Sequence, residues 1–271
     1  MDNGLKFLYN TAPGRSILKL LTRRGLSTAV GRFMDSSLSR PLIRTFVKNN
    51  NIDLEECESQ DFRCFNDCFT RRLKQELRPV DMDPMHLISP CDGLLSVYDI
   101  DEDMVLPVKQ SQYSLNDLFE NEEVSAYFYG GTCLVFRLCV NHYHRYCYPL
   151  DGKKGENFFI PGVLHTVRPI ALSKEPVFIR NCREYTIMEN DIFGRAAQIE
   201  VGAMLVGKIH NNDGVADIRR GYEKGYFCYG GSTIILLLEP GAVRISEEIL
   251  DANRRGEEYP VKLGQSIGER V

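Results

Sequence analysis

The sequence has no apolar run approaching the roughly 18 residues that a membrane-spanning helix needs. Its longest purely apolar stretch, residues 234–238, stops at Glu239. The N-terminus lacks the layout of a secretory signal, because Lys6, Pro13, Arg15 and Lys19 interrupt its apolar residues. No Cys-x-x-Cys pair occurs among the nine cysteines, which argues against a zinc finger or a thioredoxin-type site. Reduced thiols in a cytosolic setting are therefore expected. An excess of positive charge is also missing. Lys+Arg 33 against Asp+Glu 37 gives a net charge of −4, so no wholesale nucleic-acid-binding surface is expected. Neither an internal repeat nor a low-complexity tract is found.

What is present is a chain of 271 residues, long enough for one large domain or a main domain with an appendage. Its charge is uneven. Residues 1–50 hold nine basic side chains (Lys6, Arg15, Lys19, Arg23, Arg24, Arg32, Arg40, Arg44, Lys48) and two acids (Asp2, Asp35). That net +7 leaves −11 for the remainder, a basic appendage on an acidic body.

The appendage reads as helical. Arg15, Lys19 and Arg23 stand four apart, on one helix face, with Leu18, Leu20 and Leu21 off that stripe. Ile17 and Phe33 extend the apolar surface, and Gly25 is placed to break the helix. A second helix is expected over 41–48. A third follows Asp61 as N-cap, with Phe62, Phe65, Phe69 and Leu73 on one side and Pro79 closing the pattern. Two readings of the basic helices stand side by side: an anchor on an anionic lipid surface, or helices packed on the body with a solvated basic face.

From about residue 85 short apolar or alternating runs take over, with strands expected at 132–140, 197–209 and 233–238. One late helix is capped by Ser246, favoured at its start by Glu247 and Glu248, and stopped by Gly256.

Gly230, Gly231, Ser232 and Thr233 stand directly before an apolar strand. Two glycines let the backbone bend sharply, and the Ser232 hydroxyl adjoins the Gly231 carbonyl, which it can attack once a base removes its proton. A plain glycine turn is the alternative. Asp92 in a turn at 89–93 and His144 in the segment 141–149 complete an Asp, His, Ser set; capping of nearby amides and a core histidine are their alternatives. His142, His144 and Cys147 also have a spacing that permits metal ligation, but no further ligand cluster accompanies them.

Taken in order, these segments resemble the pyruvoyl-dependent phosphatidylserine decarboxylase family in its shorter bacterial-type form. Phe-Asn-Asp-Cys-Phe-Thr-Arg-Arg at 65–72, followed by Arg78-Pro79, is similar to the family's Phe-Phe-Thr-Arg…Arg-Pro segment. Ser-Pro-Cys-Asp-Gly at 89–93, Tyr-His-Arg at 143–145 and Val-Gly-Ala-Met-Leu-Val-Gly at 201–207 follow, and Gly-Tyr-Glu-Lys-Gly-Tyr-Phe at 221–227 leads into Gly-Gly-Ser-Thr. The resemblance covers nearly the whole chain.

The resemblance implies an α+β fold, with a helical N-terminal part on a mainly antiparallel body of barrel or sandwich type. It implies a basic membrane-associating region at 1–80 and a catalytic domain at 81–271. Self-cleavage between Gly231 and Ser232 is expected to leave a β chain, 1–231, and an α chain, 232–271, whose Ser232 becomes a pyruvoyl group. That covalent cofactor forms a Schiff base with the amine of phosphatidylserine, and loss of CO2 yields phosphatidylethanolamine, with no metal needed. Asp92, His144 and Ser232 are the implied charge relay. Many family members carry a second histidine where this chain has Cys147, and His165 is the expected substitute; a thiolate at Cys147 requires a lowered pKa. A homodimer, peripheral on the cytoplasmic face of the cell membrane and facing anionic lipid, is likewise implied. Two other readings stay open: a pyruvoyl decarboxylase of another serine-headed lipid or a soluble amino-acid derivative, and an unprocessed lipid-binding relative without activity.

Overall fold

Seven consecutive buried residues, Ser232–Leu238, have no polar face to offer solvent, and such a strand is stable only in the middle of a covered sheet. The computed structural model shows this arrangement. It describes residues 2–22, 24–101, 106–108, 111–166, 169–172, 176–203, 208–212, 214–230 and 232–271. The strands are β1 (His86–Ile88), β2 (Gly93–Asp99), β3 (Leu106–Val108), β4 (Ser111–Tyr113), β5 (Thr132–Leu138), β6 (Arg145–Cys147), β7 (Gly152–Ile160) and β8 (Arg183–Asn190). They continue with β9 (Gly194–Val201), β10 (Ile209–Asn211), β11 (Ala216–Ile218), β12 (Glu223–Phe227), β13 (Ser232–Leu238), β14 (Val243–Ile245), β15 (Tyr259–Val261) and β16 (Ser266–Arg270).

The main sheet has eight strands in the order β11-β7-β8-β9-β13-β5-β2-β15, and every pairing in it is antiparallel. Alternation along β13 divides the core. Ile235 and Leu237 join Cys133, Val135, Ile199 and Val201 on one face; Ile234, Leu236 and Leu238 join Leu134, Phe136 and Ala196 on the other. Two three-stranded sheets, β1-β16-β14 and β10-β12-β6, contribute Leu87, Ile245, Ile267, Tyr146 and Phe227 to the second face. The body is thus sandwich-like. Among the described residues the barrel alternative is not realised, because the sheet ends at β11 on one side and β15 on the other instead of closing.

Helices α1 (Asp2–Asn10), α2 (Ala12–Leu21), α3 (Arg24–Met34), α4 (Pro41–Asn49) and α5 (Phe65–Phe69) form the N-terminal part. Tyr9 of α1 and Leu18 of α2 are buried in the first-face core, so these helices do pack on the body. Gly25 lies inside α3; the break falls before it. The third expected helix is only five residues long. Cys64 takes its N-cap position, Asp61 pairs with Arg40 instead, and Leu73 bridges Cys57 in extended conformation. Strand β5 stops at Leu138, and the strand expected over 197–209 ends at Val201. The late helix, Glu247–Arg254, follows Ser246, though no hydrogen bond from the serine side chain caps it.

A third apolar cluster brings Phe46, Phe62, Phe65, Cys68 and Phe69 against Val140, Tyr143 and Tyr229. It fastens α4 and α5 to the two segments that flank the Gly-Gly-Ser turn.

One buried ion pair joins the small β10-β12-β6 sheet to the main one. Lys224 Nζ donates to Glu200 Oε1 and Oε2 at 2.9 and 2.8 Å, with both side chains fully buried, and Asn211 bonds to each of them. Burial raises the Glu200 carboxyl pKa against the pull of Lys224. Removing one partner strands the other charge. Lys224→Met is expected to destabilise the fold by about 3–5 kcal/mol. Urea unfolding of the Ser232→Ala chain, whose position 232 has no hydroxyl to react, measures this; an unchanged midpoint contradicts it.

Candidate active site

Pairing of β13 with β5 places Ser232 opposite Leu138, the last residue of that strand. Ser232 is fully buried, and its Oγ has no hydrogen-bond partner. Before it, Gly230 holds φ at +133°, a conformation that favours glycine; Gly231 lies outside the described residues. The approach segment is fixed from two directions. Phe227 donates its N–H to the His144 carbonyl at 3.0 Å, and Tyr229 donates its N–H to Asn66 Oδ1 at 3.0 Å. The Tyr229 ring meets Phe65 and Phe69 edge-on at 4.8 and 5.4 Å.

Beyond Leu138 the chain turns through the histidine segment. The amide of Cys139 donates to His142 Nδ1 at 3.2 Å, and the amide of His142 donates back to the Cys139 carbonyl at 2.9 Å. His144 is fully buried, its ring centroid 4.0 Å from that of Phe69. Its Nδ1 lies 2.9 Å from the His142 carbonyl oxygen. A carbonyl only accepts, so Nδ1 carries the proton and Nε2 keeps a lone pair. That Nε2 is buried without a partner. Burial, reinforced by the Arg71 charge, drives the His144 pKa down to about 3. The imidazole is therefore neutral at ordinary pH, in the tautomer that a general base attacking through Nε2 requires.

Asp92 goes elsewhere. Arg78 grips it with two hydrogen bonds, Nε to Oδ1 at 2.7 Å and Nη2 to Oδ2 at 2.5 Å, and the Leu263 amide donates to Oδ1 at 3.0 Å. The structure brings Asp92 together with Arg78, while the oriented nitrogen of His144 is taken by a backbone carbonyl. The Asp92 charge does reach His142, raising its pKa against burial, Arg137 and Arg78; burial wins and the net direction is down. Arg78 was visible in sequence as half of the Arg-Pro motif. Its signal was the need of a nearly buried turn carboxylate for a cation.

His165 is buried beside α1, with its Nδ1 3.2 Å from the Tyr9 hydroxyl. Asn181 connects it to the sheet: Oδ1 accepts from the His165 amide at 2.9 Å, and Nδ2 donates to the carbonyls of His165 and Gly202 at 2.8 and 2.7 Å. Gly202 follows Val201, which pairs with Thr233. Hydrogen bonds thus join His165 through Asn181 to Gly202, the residue after the one paired with the Ser232 strand. Cys147 points to the Ser89 carbonyl, 3.9 Å from its Sγ, and burial pushes its pKa up to about 12. It is a thiol and not a thiolate base. Among the described residues, no group of three or more His, Cys, Asp or Glu side chains is arranged to hold a metal ion.

A buried serine hydroxyl behind a glycine turn and a buried neutral imidazole are groups suited to nucleophilic attack on the chain's own backbone, although Ser232 Oγ and His144 Nε2 are not hydrogen-bonded to each other here. The comparisons with known proteins name the class. The family model described as phosphatidylserine decarboxylase matches residues 65–269. "Phosphatidylserine decarboxylase proenzyme 2" of Clostridium acetobutylicum is 42% identical over 266 residues, covering 98% of this chain and 91% of that protein. The phosphatidylserine decarboxylase proenzymes of Ruminiclostridium cellulolyticum and Clostridium perfringens are 41% and 38% identical, each over 98% of this chain and over 91% and 94% of their own lengths. The chain belongs to the phosphatidylserine decarboxylase family.

The neutral state of His144 has a consequence for stability. Its pKa falls from 6.5 to about 3 on folding, so between those values the unfolded chain binds the extra proton. Stability is expected to drop as pH falls through that window. Urea midpoints of Ser232→Ala measured from pH 7 to pH 3 test this against the Ser232→Ala/His144→Phe double variant, which is expected to lose less. Parallel losses contradict it.

Proposed function

We propose that the chain is a self-processing decarboxylase that converts phosphatidylserine to phosphatidylethanolamine and CO2 at a membrane surface. The carrying observation is that Ser232 Oγ, at the start of β13, and His144 Nε2, in the segment that follows β5, are both buried without a partner in a member of this family. The relatives' designation as proenzymes supports the processing step.

Processing follows from the chain's own groups. His144 Nε2 takes the Ser232 hydroxyl proton, Oγ attacks the Gly231 carbonyl carbon, and the acyl group moves from nitrogen to oxygen. Removal of the Ser232 α-proton then expels the Gly231 carboxylate. Addition of water to the new N-terminal residue releases ammonia and leaves a pyruvoyl group. The products are a β chain, 1–231, and an α chain, 232–271.

The residues fit that group: position 232 is dry and walled by the sheet, and His144 supplies a neutral imidazole beside Phe69. When formed, the pyruvoyl group supplies an electron sink for an amine-bearing substrate. His144 delivers a proton to the substrate carbon after CO2 has left. Asp92, held by Arg78, acts on the site through its charge on His142; His165 acts through Asn181 on the backbone next to Thr233. In this reading residues 1–80 associate with membrane and 81–271 form the catalytic domain. Borohydride added with labelled phosphatidylserine is expected to fix label on the small chain. A lipid panel separates this substrate from other serine-headed compounds; label absent from the small chain contradicts the proposal.

The membrane part rests on the outer face of the helices. Phe7, Ile17, Phe33, Leu38 and Leu42 are exposed there, interspersed with exposed Lys6, Arg15, Lys19, Arg32, Arg40, Arg44 and Lys48. No helix among the described residues is long and apolar enough to cross a membrane. Apolar tips with basic neighbours suit peripheral attachment to the anionic cytoplasmic leaflet. Each basic residue near such a surface contributes about 1 kcal/mol, so Arg44→Gln/Lys48→Gln is expected to weaken vesicle binding roughly thirtyfold. Co-sedimentation with phosphatidylserine-containing vesicles reads the change; unaltered binding removes this face from the contact.

A further inference from the structure

A guanidinium without enough acceptors is rare inside a protein, because burying its charge is unfavourable unless the donors are used. Arg71 is such a group. Its residue is 6% exposed, and its Nε and Nη1 are buried with no hydrogen-bond partner. Nη2 donates to the carbonyls of Asn141 and His142 at 3.1 and 3.5 Å, and beyond that the guanidinium has a weak contact with the Cys57 thiol. Neighbouring Cys57 offers only a weak sulfur acceptor, and burial keeps its thiol protonated against the pull of Arg71. Among the ion pairs of the described residues, none includes Arg71.

The location of this group matters as much as its deficit. The His142 carbonyl that Arg71 touches is the same oxygen that orients His144 through Nδ1. Arg71 also follows Phe69, whose ring lies against His144. An incomplete cation therefore stands one shared carbonyl away from the imidazole assigned to the chemistry.

We propose that Arg71 completes its hydrogen bonding on the phosphodiester of the substrate headgroup, making it the residue that selects a phosphorylated serine. This rests on the decarboxylase reading above. Phosphorus is three bonds from the α-carbon that loses CO2, so an anion subsite beside the base is at the right remove. The substrate's other anion is a poor match. A guanidinium on the departing carboxylate stabilises the charged ground state more than the transition state, whereas a hold on the phosphodiester persists unchanged through the reaction. Guanidinium–phosphate hydrogen bonds are charge-assisted and directional, which a lysine ammonium does not reproduce.

The test uses processed full-length enzyme, wild type and Arg71→Lys, assayed on glycerophosphoserine and on O-methylserine, which keeps the amine and carboxylate but lacks phosphate. Arg71→Lys is expected to raise KM for glycerophosphoserine roughly tenfold or more while kcat changes far less, and to lower kcat/KM for O-methylserine by a much smaller factor. Unchanged KM overturns the proposal. Equal losses on both substrates also overturn it, by assigning the anion to the carboxylate. Should the variant not self-cleave, phenylglyoxal labelling of processed wild type with peptide mapping decides. Glycerophosphoserine is expected to shield Arg71; labelling indifferent to the ligand, or no labelling at all, overturns the proposal. Wild type that neither cleaves nor turns over any substrate refutes the decarboxylase reading instead, so the two failures are distinct.

Discussion

Everything at the site depends on β13 being paired on both sides. The ladder to β5 sets Ser232 against Leu138, and the ladder to β9 sets Thr233 against Val201. Because both faces of the strand are covered by apolar side chains, its first hydroxyl is carried into a dry interior. The same pairing decides what surrounds it. The chain leaving β5 becomes the histidine segment, and the chain leaving β9 becomes Gly202, tied through Asn181 to His165. A one-residue slip would turn Ser232 to the opposite face and separate it from these neighbours.

Dryness is what makes the residue types effective. In water His144 would be half-protonated near pH 6.5. Buried against Phe69, and near the Arg71 charge, it remains neutral, and a backbone carbonyl selects which nitrogen keeps the lone pair. The orienting role often filled by a carboxylate is here filled by the His142 carbonyl. Asp92 is reserved for Arg78, a pairing that anchors the 89–93 turn to the segment after α5 and leaves its charge to act at a distance. Partnerless Ser232 Oγ and His144 Nε2 are unfavourable to bury, and folding tolerates them because the large apolar sheet around them more than offsets the penalty.

Much of this was legible in the residues. The apolar run after Gly-Gly-Ser-Thr was readable as a strand, and it is one. Helix α4 and the late helix fell where proline, serine and glycine put them. What escaped was set by tertiary partners. The phenylalanine spacing after Asp61 fits a long helix, but Phe62, Phe65 and Phe69 find their apolar cluster in one short turn, and Leu73 is drawn into a bridge with Cys57. Arg78, fourteen residues from Asp92, stood in a recognised motif, but its pairing was legible only through the need of a buried carboxylate for a cation. His142 drew notice only as a metal ligand, because its contact with the Cys139 amide depends on a turn that spacing does not reveal. Arg71 stood in a recognised motif, yet only burial shows that its donors are in excess.

The most direct measurement is the intact mass of purified wild type and His144→Ala under denaturing conditions, followed over time. Wild type is expected to give two chains divided between Gly231 and Ser232. The small one, 40 residues long, is expected to be lighter by one ammonia than the serine-headed chain that simple hydrolysis would give, which marks a pyruvoyl N-terminus. His144→Ala is expected to remain a single 30.9 kDa chain apart from the substitution itself. A His144→Ala protein that divides at the wild-type rate would contradict the assignment of the buried imidazole as the base on which the site is built.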